Sequence, residues 1–536
     1  MRMGTRDLLF VGLVLGGAAT LASSLLPNVV PARAARRPAN PAPAPADPTI
    51  VREVNRELRR EWAEAGVSPV RRAPELALMR RLSLALTGTI PSLEEIRRFE
   101  ARAEDRRLSL WIDDLLADRR FADYVAERLA RVYVGTEEGP FIQFRRRRFV
   151  TWLSDQLANS RPYDAIVRDL IADRGLWTDH PGTNFITVAV EPEKPPNPEK
   201  IAARVARAFL GVRLDCAQCH DHPFGEWKQR DFQGLAAFFG QVHTGFSGVY
   251  DGQGEYEPTN RKSGKTEVAP PGVPFYTELL PEEGPRRMRL ARWVTDPRNP
   301  NLARVTVNRV WALMFGKPLV EPVDDILSVG EPPPLLKMLA ADFSAHGFDL
   351  RRLVRSIAAT EAFQRDSASD NDVTESQEKT WAAFPLTRLR PEQVVGGVLQ
   401  SASLGTIDRE SNVLVRLGYT FGQQAFVQRY GDTGEDDFSD GCGTIPQRLL
   451  LMNGDLVKDK TKDGLVTAAS RIATLAPTDQ AAVELAYLTV LTRRPTPEEA
   501  AHFVPRLEGT KGKERQLRLC DIVWTLINAT EFSWSH

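Results

Sequence analysis

Cys216 and Cys219 stand two residues apart, and His220 follows directly, in the run Cys216-Ala217-Gln218-Cys219-His220. This C-x-x-C-H spacing suits covalent haem attachment. Two thiols add across the two vinyl groups, and the adjacent imidazole then lies under the iron as an axial ligand. With 4 Cys and 7 His in 536 residues, chance supplies about 4 × 10⁻⁴ copies of the pattern.

Other chemistries fit the same residues. Asp221 and His222 extend the cluster, and two thiolates with His220 and His222 would complete a tetrahedral Cys₂His₂ zinc site. Cys216 and Cys219 could instead form a disulfide or redox pair. The segment could also be structural, with His220 hydrogen-bonded in a core. The expected cofactor is one covalent haem c, with zinc as the alternative. His222 lies too close to His220 to reach the opposite face of one haem. Candidate sixth ligands are therefore His180, His243, Met288, Met314, Met338 and Met452. Met452 is the one singled out, beside a five-coordinate or water-ligated iron. The aromatic residues of 222–239 could wall a haem pocket, although helix packing is the plainer role for Phe238 and Phe239.

The elements that must position these residues read as helices. Apolar residues recur at helical spacing over 76–239, as with Leu108, Ile112, Leu115 and Leu116. Ser92 with Glu95 and Thr496 with Glu499 form capping boxes, the second with Pro497 at the first helical position. The segment from Leu86-Thr87 to Phe99 echoes the one from Leu491-Thr492 to Phe503. Likewise Ala359-Thr360-Glu361-Ala362-Phe363 echoes Ala529-Thr530-Glu531-Phe532. The expected fold is mainly α: two helical domains with a loop or small β insertion between them. An Ala/Pro-rich linker and first helix occupy 35–70, and an N-terminal helical domain carrying the motif spans 71–245. A Gly- and Pro-rich insertion covers 246–275, and a C-terminal helical domain covers 276–536.

Residues 1–34 read as a signal peptide. Arg2 and Arg6 precede the apolar stretch 8–26, and Ala32-Arg33-Ala34 offers a small-x-small cleavage site. Retention of that stretch as a membrane anchor is the alternative. No later stretch is apolar enough to span a bilayer, so no transmembrane segment is expected after signal removal. The expected location is periplasmic or cell envelope. Lys+Arg and Asp+Glu are both 70, giving zero formal charge. That balance gives no general attraction to nucleic acid. Four Cys in a chain of 536 residues do not make a disulfide scaffold. There is no Gly-x-Ser-x-Gly element, phosphate-binding loop, dinucleotide fingerprint or His-Glu-x-x-His. Asp324-Asp325 and Glu435-Asp436-Asp437 read as solvated turns.

The run from Leu214 through His220 to Phe224, then Trp227, Gln229, Asp231-Phe232 and Leu235 to Phe239, resembles the first of two paired domains of unknown function. These domains abound in planctomycete-type exported proteins and often accompany a planctomycete cytochrome c domain. Arg80-Arg81-Leu82, Leu86-Thr87-Gly88, Pro91 and Pro162-Tyr163-Asp164 resemble the same domain. Leu290 to Val294, Asn299-Pro300, Val305 to Trp311, Phe315-Gly316, 386–391, Pro446-Gln447, Leu451 to Gly454 and Asn528 to Phe532 resemble the second. The resemblance implies location and architecture more than activity. Longer relatives carry an additional cytochrome c domain that is not expected here, so any haem must sit at Cys216, Cys219 and His220.

The expected function is an exported c-type haem protein in redox or electron transfer, with a redox protein as partner. The alternatives are a metal-binding scaffold of the cell envelope without haem and, on environment alone, a hydrolase of exported polysaccharide.

Overall fold

The computed structural model describes residues 48–136, 146–190, 195–221, 227–259, 266–369, 372–411, 426–427, 429–431, 444–462, 464 and 467–536. The expected signal peptide 1–34, the stretch 35–47 and His222 lie outside the described residues. The architecture is mainly α. Its named strands form two short antiparallel ladders, Val242–Gly245 with Gly248–Asp251 and Thr387–Arg388 with Trp534–Ser535.

Local sequence explains the helices. In Pro48–Glu64, the four-residue spacing of Ile50, Val54, Leu58 and Trp62 puts all four on one buried face,. Both capping boxes read from the sequence are formed. The Ser92 amide donates to Glu95 Oε2 at 2.8 Å and the Glu95 amide to Ser92 Oγ at 3.1 Å. Thr496 and Glu499 do the same at 2.8 and 3.2 Å. The echoed segments share geometry as well. Helix Glu75–Thr87 ends at left-handed Gly88 and helix Asp479–Leu491 at left-handed Thr492, and each is followed by its capping-box helix.

The buried side chains form two clusters. One runs from Ile50 to Phe384, joined by Leu488, and includes residues on both sides of the 246–275 stretch. The other gathers Leu389 to Phe532 with Leu84 and Ile90. Buried Arg287 shows how the first cluster continues through the Gly-rich stretch. Its guanidinium donates to Asp251 Oδ1 at 2.7 Å, on the hairpin, and to the carbonyl of Asp173 at 2.8 Å.

Helix Glu75–Thr87 is the seam, with Met79, Leu82 and Leu86 in the first cluster and Leu84 in the second. Its adjacent Arg80 and Arg81 are 2% and 1% exposed, and they point into different clusters. Arg80 donates to the carbonyls of Val490 at 3.0 Å and Phe532 at 3.3 Å. Arg81 donates to the carbonyls of Phe363, of Arg365 at 3.0 Å and of His536 at 3.2 Å, with its guanidinium 3.4 Å from the centroid of the Phe384 ring,. Burial pulls Arg80 down to about 10 and Arg81 to about 9, so both stay charged at neutral pH.

Arg128, in helix Arg119–Val134, pairs with Glu392, in helix Pro391–Ser401, and both are buried. Burial alone would raise the Glu392 carboxyl, but the Arg128 and Arg390 guanidiniums outweigh it and hold it below its ordinary 4.5. Removing the carboxylate strands buried positive charge. Glu392→Ala should therefore cost about 3–5 kcal/mol, measured by urea unfolding. An unchanged midpoint would show that water reaches the pair. The unfolded chain takes up its proton near 4.5, before the native chain does. This contribution is complete above that pH and is lost as pH falls through the native value. Glu392→Gln should therefore lose less stability than the parent between about pH 5 and 3, as followed by thermal unfolding.

Candidate functional site

The approach to the Cys motif is held from three directions. Asn197 caps helix Pro198–Val205, its Oδ1 accepting from the Glu199 and Lys200 amides at 2.9 and 3.1 Å,. The helix widens over Ala206–Leu210 and stops at Gly211, where φ is +63°. A Cβ on Gly211 would lie 3.3 Å from Ile326 and 3.4 Å from Val305, so glycine serves both the backbone turn and the close approach,. Asp324 and Asp325 then clamp the next segment. Asp325 Oδ1 accepts from the Arg213 amide at 3.0 Å, and Asp324 accepts from Arg213 Nε at 2.9 Å. These two carboxylates read as a solvated turn in the sequence, and here they anchor the chain just before the motif.

Leu214 and Ala217 are fully buried and anchor the tight turn Asp215–Gln218, in which the Ala217 amide donates to the Leu214 carbonyl at 2.9 Å. The Cys216 backbone belongs to this turn, while its side chain lies outside the described residues. Cys219 is half-buried and His220 is exposed. His220 Nδ1 sits 2.7 Å from the Asp221 carbonyl. A carbonyl only accepts, so Nδ1 is the donor, and in the neutral imidazole Nε2 then carries the lone pair. This arrangement orients an imidazole for ligation through Nε2, and in that respect His220 fits an axial haem ligand.

A polar belt fastens the turn to its surroundings. Gln218 Nε2 donates to Glu199, whose other oxygen accepts from the Tyr256 hydroxyl at 2.7 Å. Burial and the Glu199 carboxylate together push the Tyr256 phenol up. Gln229 Nε2 donates to the Gln218 carbonyl at 3.2 Å, and the Gln229 amide donates to Asp221 Oδ1 at 2.9 Å. Asp221 thus serves His220 through its carbonyl and helix Gln229–Ala237 through its carboxylate. Sequence reasoning missed Glu199 and Tyr256 as supports. Nothing in their local pattern marks them, since the contacts cross 19 and 57 residues.

The stretch after the hairpin covers this helix. The Gly272 amide donates to the Gly234 carbonyl at 3.1 Å, and a Cβ on Gly240 would come within 2.7 Å of the Tyr256 nitrogen. Trp227 meets Phe275 edge-on at 5.9 Å. Phe232, Phe238 and Phe239 are buried in the first cluster.

The other candidate ligands are dispersed. Met452 is exposed on helix Ile445–Asn453, where its carbonyl accepts from Trp524 Nε1 at 3.3 Å, at the surface of the second cluster. His180 Nδ1 lies 3.0 Å from Asp173 Oδ1, and His243 stacks on Tyr250 at 5.6 Å. Met314 is buried, and Met288 and Met338 pack against the first cluster. Among the described residues no group of three or more His, Cys, Asp or Glu could hold a metal ion. The Cys₂His₂ set needs His222 and the Cys216 thiol, which lie outside them. No helix among the described residues is long and apolar enough to cross a membrane.

Two families match the chain. PSCyt2, described as a protein of unknown function (DUF1549), matches residues 53–244 and so includes the Cys motif. PSD1, described as a protein of unknown function (DUF1553), matches residues 286–413. No curated protein and no solved structure matches the chain. The motif resides in the first of these domains and its Asp324-Asp325 clamp in the second, and the chain belongs to the proteins that pair a PSCyt2 domain with a PSD1 domain.

Proposed function

We propose that this chain is an exported c-type haem protein of redox or electron-transfer function, holding one haem through Cys216, Cys219 and His220. The observation that carries the reading is the His220 geometry. The imidazole is exposed, its Nδ1 proton is committed to the Asp221 carbonyl, and Nε2 is left as a ligand. Cys219 and Cys216 would supply the two thiols for thioether attachment. Bound haem supplies a one-electron couple. The chain's own residues keep the attachment segment rigid: Leu214 and Ala217 by burial, Arg213 through the two aspartates, and Gln218 through Glu199. An exposed His220 places the redox group at the surface, within reach of a partner protein. The cytochrome c association of the PSCyt2 family supports the same reading. The N-terminal segment 1–34 supports export, because c-type attachment takes place outside the cytoplasm.

The test is the intact mass of the chain secreted from a host with haem-attachment machinery. The expected product carries one added haem, stays red after acid–acetone extraction and begins at Ala35. Cys216→Ser with Cys219→Ser should abolish the added mass, and His222→Ala should leave it intact. A colourless product of unmodified mass overturns the proposal. Stoichiometric zinc lost in both His220→Ala and His222→Ala would establish the metal-binding scaffold instead.

A further inference from the structure

A second site lies far along the sequence from the Cys motif, at the surface of the second cluster. An open cleft of about 300 Å³ is lined by Arg388, Arg448, Thr444, Leu451, Ser533 and Trp534. This volume is in the range of small-molecule sites. Arg388 and Trp534 are directly opposed in the short ladder, so their side chains leave the same face side by side,. Thr444 caps helix Ile445–Asn453, and Arg448, one turn on, shares its face,. The two arginines are held by neutral partners. Arg388 donates to Gln447 Oε1 at 3.3 Å and to the Tyr430 hydroxyl at 3.5 Å, and Arg448 donates to the Asn528 carbonyl. None of these partners is a carboxylate. Ser533 is 4% exposed, and its hydroxyl has no hydrogen-bond partner among the described residues. A buried hydroxyl left unpaired costs stability, and this one is closed to solvent, so a ligand reaches it only when the side chain turns into the cleft that Ser533 lines.

We propose that this cleft binds a small oxyanion ligand, a phosphate, sulfate or carboxylate group attached to a flat ring. The two guanidiniums neutralise and orient the anionic group. The Ser533 side chain turns toward the ligand and its hydroxyl donates to one of the anion's oxygens, and the Trp534 indole with Leu451 receives the ring. The inference is independent of haem at Cys216.

Isothermal titration of the full chain tests it, with inorganic phosphate, phenyl phosphate and benzoate as probes at constant ionic strength. One saturable site is expected for at least one of the two aryl probes. Phenyl phosphate binding more tightly than benzoate marks a phosphate or sulfate ligand, and the reverse marks a carboxylate. Arg448→Gln and Arg388→Gln should each weaken binding roughly tenfold. Trp534→Leu should weaken the aryl probes and leave inorganic phosphate unchanged. Because Arg388 also supports Gln447 and Tyr430, Ser533→Ala is the second arm. It should weaken binding severalfold with the thermal midpoint unchanged or raised, since it removes an unpaired buried group. Absence of saturable heat with every probe overturns the proposal. So does binding that Arg448→Gln and Ser533→Ala leave unaltered.

Discussion

Two adjacent buried cations set the terms for the rest of the molecule. Arg80 and Arg81 follow one another on helix Glu75–Thr87, so their side chains diverge by about 100° and enter different clusters. A buried guanidinium must be surrounded by acceptors. Here the acceptors are largely main-chain carbonyls at the ends of short helical turns, Phe363 and Arg365 on one side and Phe532 on the other. The two turns are the echoed Ala-Thr-Glu segments. Each brings a phenylalanine ring beside its arginine as well as a carbonyl, Phe363 at 5.6 Å and Phe532 at 5.9 Å from the guanidinium carbon to the ring centroid. The likeness between the segments is therefore a shared structural task.

The Cys motif depends on this frame indirectly. Its turn is packed through Leu214 and Ala217 into the first cluster, and its approach is tied to Asp324 and Asp325. Those aspartates lie within the PSD1 match, while the motif lies within the PSCyt2 match. The site is thus assembled from both families' residues, although its chemistry-bearing side chains come from one. Such an arrangement holds the motif turn against a rigid body.

Local grammar made much of this legible. Periodicity and the capping boxes at Ser92 and Thr496 placed helices, because those signals act within four residues. The C-x-x-C-H spacing marked the motif for the same reason. What the residues did not disclose crosses long stretches of sequence: the carbonyl partners of Arg80 and Arg81, the Tyr256–Glu199–Gln218 belt and the Arg213 clamp. The 246–275 stretch shows the difficulty most clearly. Its glycines suggested an insertion between two domains. In the structure, Gly234 lets this stretch pack close, since a Cβ there would lie 3.0 Å from the Gly272 carbonyl oxygen, and the first cluster continues on both sides. Composition reports flexibility of the unfolded chain and is silent on how near two backbones will lie once folded.

The distances along the chain between Arg80 and its acceptors have a consequence for how the protein comes into being. The Val490 and Phe532 carbonyls lie 410 and 452 residues downstream. A polypeptide is synthesised from its N-terminus, so the seam helix is made long before either carbonyl. Until the turn that carries Phe532 is made, the helix holds Arg80 short of an acceptor and leaves the second cluster open. Closure of the second cluster around Arg80 therefore waits for the segment that carries Phe532. A chain lacking Phe532 would leave Arg80 without that acceptor and the second cluster unsealed.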